Sequence, residues 1–315
     1  MISDLLTANV LIGIMASGIR LATPYLYAGL GETFGQRSGV LNLGVEGQML
    51  MGAFAGFYVT WLTGSAWFGL LAAMGVGALM GLGMAFITVT MKAEQGISGI
   101  GVYLFGLGLS DLLYQKTIGT IQTIQPFPAL NIPGLADSAN PLLRAISDVF
   151  LSHNILVYAA FALVPISTFV LNKTTLGLKI RAAGQNPQAA DTVGVSVNRI
   201  RYFTVTLGGL LSGVAGASLS IALLNVFQQN MTAGLGFIAV ALVYFGAWRP
   251  YGVLLGAMIF SLINALQLWV QVKAIPIPSD IAVMMPYLLT IVALVFAVRR
   301  VQQPAALTKV FERGE

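Results

Sequence analysis

GQNPQAADTVG, residues 184–194, decides how this chain is read. It is short and polar, and it stands between two long apolar segments. Asn186 suits an N-cap, Pro187 the first helical position and Gly194 the stop. The helix this predicts is about seven residues or roughly 10 Å long, far too short to cross a bilayer. Such a piece between spans predicts a surface offered to a partner.

The sequence on either side is that of a membrane protein. Of 315 residues, 57% are hydrophobic and 9% charged, with mean hydropathy +0.84. A soluble domain carries about 25% charge. The apolar runs have helical rather than barrel-strand length. The 36 glycines suit helices packed closely in lipid. There is no cysteine and one histidine, His153, which excludes disulfides, thiolate catalysis and multi-histidine metal sites. The net charge of +5 comes from residues between apolar runs, so it reads as membrane orientation and not as nucleic-acid binding. No basic region precedes the first apolar run, so a cleaved signal peptide is not expected.

Apolar runs lie near 8–30, 40–62, 66–91, 97–118, 151–171, 200–223, 232–247, 251–271 and 281–299. The fold class expected is an all-α polytopic membrane protein, a single domain over 1–315, with about nine (8–10) transmembrane helices. The run 232–247 is short enough to be re-entrant. With the N-terminus outside and nine spans, twelve Lys and Arg fall inside (Arg37, Lys92, Lys173, Lys179, Arg181, Arg199, Arg201, Arg249, Arg299, Arg300, Lys309, Arg313). Only Lys116, Arg144 and Lys273 fall outside, and Arg20 lies in the first span. This split places the loop 172–200, with its short helix at about 187–194, in the cytoplasm. The loop 119–150 is then extracytoplasmic, and its four prolines argue against one continuous helix. It reads equally as a cap or a linker. The dipeptide Gly-Lys is missing, so no phosphate-binding loop of the GxxxxGK[ST] kind exists here.

Residues 31–48, GETFGQRSGVLNLGVEGQ, join the first two runs and hold five glycines with Glu32, Arg37, Asn42 and Glu46. Ionisable groups at the hydrocarbon edge must pair or face a cavity. Glu32, Arg37 and Glu46 are therefore expected to form an ion-pair set locking a structural hinge, with substrate contact by Glu32, Asn42 or Glu46 as the alternative. Asp111 lies inside a run with Gln115 one turn on; structural pairing and a pathway role both remain open. Asn225, Gln228, Gln229, Asn230, Asn264 and Gln267 offer amides that suit sugar hydroxyls or a base edge, or helix–helix glue. Glycine pairs at 52/56, 77/81, 209/213 and 252/256 predict close helix approach. His153 reads as a solvated polar tip, and Trp61, Trp67, Trp248 and Trp269 as an interfacial belt.

Residues 177–201 and the Gly-rich span after them resemble the coupling-loop region of ABC importer permeases of the ribose, nucleoside and branched-chain amino-acid group. SGVLNLGVEG at 38–47 resembles that group's early signature in its nucleoside form; the sugar branch has an acid near Asn42. GFIAVAL at 236–242 and GAWRPYG at 246–252 also match. The resemblance implies a permease subunit in the cytoplasmic (inner) membrane of a bacterium or archaeon. It would pair with a second homologous permease chain or itself, dock a separate ABC ATPase subunit, and receive substrate from an extracytoplasmic binding protein. No cofactor is implied on this chain; ATP–Mg would sit on the ATPase. Gly184, Asn186, Pro187, Ala190 and Gly194 would shape the coupling helix, and Gln185, Gln188 and Asp191 would contact the ATPase. The sugar-type permeases have about ten spans, so nine implies that the first is lacking. The substrate implied is a nucleoside, with a simple sugar such as ribose as the alternative. An ion-coupled secondary transporter would instead use Asp111 or Glu46 as an ion site and show matching broken helices in two halves. No matching half-repeat is visible. A channel does not explain the capped helix, and one histidine without cysteine leaves little for a membrane enzyme.

Overall fold

The computed structural model describes residues 8–120, 122–125, 127, 147–272 and 303–312, with four isolated positions between 284 and 292. Most of the loop 119–150 and of the run 281–299 lies outside the described residues. Within them the regular elements are helices. The α-helices are α1 (Ala8–Arg37), α2 (Val45–Thr63), α3 (Ala66–Ala85), α4 (Gln95–Thr117), α5 (Ile155–Lys173), α6 (Thr175–Gln185), α7 (Pro187–Thr192), α8 (Val197–Ala217), α9 (Leu235–Phe245) and α10 (Pro250–Val272). Short π-helical segments extend α3 (Phe86–Thr90) and α8 (Ser218–Leu223), and a third (Ser147–Leu151) precedes α5.

Local chemistry sets the starts. Asn154, Thr174 and Asn186 each accept an N–H from the first turn of α5, α6 and α7. Glu94 does so twice for α4, accepting from Gly96 and Ile97, and these donors, Ile97 foremost, hold its carboxyl below the usual range. Gly64, at φ +67°, ends α2.

Among the described residues, six helices are long and apolar enough to cross a membrane: α1, α3, α4, α5, α8 and α10. The helix α2 has 19 residues, the length of a span, and carries Glu46 and Gln48 in its first turn. The run 232–247 does not make a spanning helix. Its helix α9 has 11 residues, about 16 Å at 1.5 Å per residue. The sequence count of nine is therefore not reached by helices of spanning length among the described residues.

The most enclosed span is α8, which packs against α3, α1 and α2, while α10 packs against α1. Of the predicted glycine contacts, those of Gly52, Gly77, Gly81, Gly209 and Gly213 are present, backbone on backbone. A Cβ on Gly52 would stand 2.5 Å from the Gly213 Cα. One on Gly77 would overlap the Gly209 carbonyl and stand 2.8 Å from the Gly213 Cα. One on Gly81 would stand 3.0 Å from the Gly209 Cα. Without side chains, the axes of α2, α3 and α8 close to van der Waals contact, the main attraction available between helices in lipid.

Two polar residues sit differently from their sequence expectation. His153 is not a solvated tip; it is 2% exposed, with Nε2 2.8 Å from the Val149 carbonyl. Burial pushes its pKa down, the Val149 carbonyl opposes this, and Arg20 lowers it further. The folded protein thus favours neutral imidazole, whereas the unfolded chain protonates near its free pKa of about 6.5. As pH falls through that value the unfolded state takes protons first, so stability is lost on acidification. Thermal unfolding of the purified protein is expected at lower temperature at pH of about 5.5 than about 7.5. His153→Leu should flatten that difference, and an equally steep profile in the variant would refute this. Trp248 is 4% exposed and does not belong to an interfacial belt: it packs on Tyr244 and donates Nε1–H to Gln36 Oε1 at 2.7 Å.

Candidate functional site

The hinge, the end of α9 and the elbow before α7 meet at the end of the bundle that carries Arg37, Arg201 and Arg249. The hinge begins where α1 stops. Ser38 N–H bonds back to the Phe34 and Gly35 carbonyls, and Gly39 adopts φ +96°. At that position a Cβ would stand 2.9 Å from both the Ala306 carbonyl oxygen and Arg201 Nη2, so glycine fits on two counts.

The acids of the hinge do not pair with Arg37. Glu32, 1% exposed, accepts Nε2–H of Gln36 at 2.9 Å and the Asn42 N–H at 3.0 Å. Asn42 donates Nδ2–H to Gln48 at 3.1 Å and accepts the Gly44 N–H at 2.9 Å. Arg37 donates Nε–H to the Trp248 carbonyl at 2.8 Å. The expected ion-pair set is replaced by neutral donors, because amides and backbone N–H groups lie closer to each carboxylate than any guanidinium does. A continuous chain results, running Gln48–Asn42–Glu32–Gln36–Trp248, and the Trp248 carbonyl continues it to Arg37.

Glu46 has a separate task. The chain runs from the end of α8, where the Asn225 carbonyl accepts from Ile124, through the turns 224–234 and then α9 to Trp248. Non-helical backbone at membrane depth survives only where its polar groups are satisfied. Glu46 satisfies them at the start of α9. It is 1% exposed and accepts the Thr232 hydroxyl at 2.5 Å and the Gly234 N–H at 2.7 Å on Oε1. Its Oε2 accepts the Gly236 N–H at 2.6 Å. A carboxylate from α2 thus caps a helix nearly 190 residues downstream, where the α9 dipole also favours negative charge. Gly236 must be glycine, since a Cβ there would stand 2.6 Å from the Glu46 Cα.

The remaining candidates lie apart from this group. Asp111 accepts Nε2–H of Gln115 at 3.2 Å on Oδ2, as the i, i+4 spacing predicts, while its Oδ1 is buried without a hydrogen-bond partner. Asn225, at φ +58°, likewise has a buried Oδ1 without one. Asn264 is half-buried on α10.

Helix α7 lies close to its predicted limits. Asn186 Oδ1 accepts the Ala189 N–H at 3.0 Å, Pro187 is the first residue, and Gly194 adopts φ +85° two residues beyond the end. Pro187 and Ala190 face inward, and Ala190 packs with Ala183, Val197 and Phe311. Gln185, Gln188 and Gly194 face outward, with Asp191 half-buried. Val193, which sequence reasoning did not single out, is 77% exposed beside them. Gly184 seats the α6–α7 elbow directly on the hinge: a Cβ there would overlap the Arg37 carbonyl. The tertiary partners Trp248, Gln36, Thr232 and Arg201 were also missed; no local pattern marks them.

Residues 14–294 match the model of the branched-chain amino acid transport system permease component family. The chain belongs to that family. Among its relatives, a Haloferax volcanii protein provisionally named a glucose ABC transporter permease is 37% identical over 96% of this chain and 98% of its own. The guanosine ABC transporter permease of Bacillus subtilis is 36% identical over 90% of this chain and 92% of its own. The nucleoside ABC transporter permease of Lactococcus lactis subsp. cremoris is 32% identical, covering 95% and 96%. No solved structure matches the chain. Family membership and the six apolar spans among the described residues make this a multi-pass permease component of the cell membrane, a transport protein.

Proposed function

We propose that this permease is the membrane subunit of a binding-protein-dependent ABC importer that carries nucleosides. The observation that supports this best is α7. It is capped, rigidly backed by the hinge, and presents Gln185, Gln188 and Val193 outward at the basic end of the bundle. A separate ABC ATPase subunit, holding ATP–Mg, seats on that face from the cytoplasm. A second related permease chain or a second copy completes the pathway, embedded in lipid, and an extracytoplasmic binding protein delivers the solute.

Closure of the ATPase pair displaces α7. The elbow at Gly184 passes that displacement to Arg37 and the hinge, and through Gln36 and Trp248 to the end of α9. ATP shifts the pathway between outward- and inward-facing states only by binding one of them better. In this scheme Glu32, Asn42 and Glu46 are the frame of the pathway, since Glu32 Oε1, Asn42 Oδ1 and both Glu46 oxygens accept hydrogen bonds within the protein. Asp111 and Asn225, each with a buried oxygen to spare, are the groups left for solute. A nucleoside is favoured by the SGVLNLGVEG form and by the relatives named for guanosine and nucleosides. A simple sugar is the second reading, favoured by the relative named for glucose.

Gentle purification of the tagged chain is expected to retain an ATPase subunit, and the vesicle-reconstituted assembly should accumulate guanosine only with ATP. Gly194→Val forces a β-branched residue into a left-handed conformation at about 1–2 kcal/mol, and should lower uptake more than ATP hydrolysis. The chain moving solute alone without ATP would sink the importer reading.

A further inference from the structure

Residues 303–312 lie across the basic end of the bundle and touch every element of the transmission path. The Ala306 N–H bonds to the Gly184 carbonyl at 2.9 Å, at the elbow before α7, and the Thr308 N–H to the Gly39 carbonyl at 3.2 Å, in the hinge. Leu307 is buried with Val243, Trp248 and Val253, beneath the end of α9. Phe311 is buried with Ala183, Ala190 and Val197, on the inner face of α7. Glu312 pairs with Lys92 beyond α3. Arg201, 2% exposed near the start of α8, fastens the segment: its Nη1–H donates to the Lys309 carbonyl at 3.0 Å and its Nε–H to the Ser38 carbonyl at 3.3 Å. Burying a guanidinium is costly unless backbone carbonyls and packing repay it. The same residue therefore holds hinge and tail together.

We propose that residues 303–312 are a strap that makes α7, the hinge and the end of α9 one mechanical unit, so that displacement of α7 reaches α9. This rests on α7 being the ATPase contact. Without the strap, the elbow rests on the hinge through Gly184, packed on the Arg37 carbonyl and the Gly39 nitrogen. Leu307 adds a direct apolar link from the tail to Trp248 and α9. Two adjoining anchors, Leu307 and Phe311, four residues apart, fix its length between α9 and α7.

The test uses the whole transporter, with its ATPase and binding protein. In one variant a stop replaces Gln303; in another Leu307→Asp puts a charge against Trp248. Both should keep the ATPase subunit bound and hydrolysing ATP, while ATP-driven guanosine uptake falls about ten-fold, the size of a 1.4 kcal/mol loss of coupling. Undiminished uptake would overturn the proposal. So would loss of the ATPase subunit, which would make the tail a docking site. A second measurement holds even where truncation prevents folding. The chain has no cysteine, so spin labels at Val193→Cys and Val310→Cys, both exposed, read the α7–strap distance without background. That distance should be the same in nucleotide-free and ATP-trapped transporter, while the distance from Val193→Cys to Leu268→Cys, exposed on α10, changes. A changing 193–310 distance, or a static 193–268 distance, refutes the strap. Absence of ATP-driven uptake in the unmodified transporter refutes instead the importer reading on which it rests.

Discussion

Gly77→Ala is expected to remove most of the folded protein from the membrane, while Gly75→Ala, two residues earlier on α3, leaves it unharmed. The two glycines look alike in sequence but meet different surroundings. At Gly75 a Cβ finds nothing within 4 Å; at Gly77 it would overlap the Gly209 carbonyl and crowd the Gly213 backbone. A flexible side chain could yield, but a carbonyl in a helix cannot without moving α8. Overpacking costs typically about 1–3 kcal/mol when neighbours can adjust, so the upper end or beyond is expected here. That is a large part of a total stability of about 5–15 kcal/mol. Alanine at Gly75 instead gains helix propensity, worth up to about 1 kcal/mol. Detergent-extracted yield and thermal midpoint of the two variants check this, and equal midpoints would show that the α3–α8 contact is looser than described.

Glu46→Ala is expected to leave the bundle assembled and abolish transport. Removing the carboxylate strands three donors at the head of α9: the Thr232 hydroxyl and the Gly234 and Gly236 N–H groups. Each buried donor left unpaired costs about 1–3 kcal/mol. With α9 only 11 residues long, a loss of that order is enough to open its first turn. Glu46→Gln keeps two acceptor lone pairs and should lie between the two. Hydrogen exchange at residues 234–240 is the decisive reading. Those amides should lose protection in Glu46→Ala while α3 and α8 keep theirs; unchanged protection at 234–240 would remove Glu46 from the role given to it.

How far the sequence carries follows from how local each signal is. Apolar runs mark α1, α3, α4, α5, α8 and α10 because a bilayer demands length and apolarity from a contiguous segment. The limits of α7 are legible because Asn186, Pro187 and Gly194 act within their own turn. The run 232–247 signals its shortness by length alone. By contrast, Glu46 finds its partners nearly 190 residues away, and Arg201 meets the hinge and the tail over more than 100. Nothing in 31–48 says whether its acids seek Arg37 or amide donors; the packing of Gln36, Asn42 and α9 decides that. His153 looked exposed because it opens a run, yet Tyr158 and Val149 fold over it.

The glycine seams along α2, α3 and α8 also limit how the molecule can move. Sliding of one helix past another normally proceeds by side chains hopping between rotamers. Where Cα lies on carbonyl there are no rotamers to hop, and the seam is stiff against shear. These three helices must therefore travel as one rigid block. Whatever opens and closes in this permease does so at the block's margins, where a single carboxylate caps the start of α9.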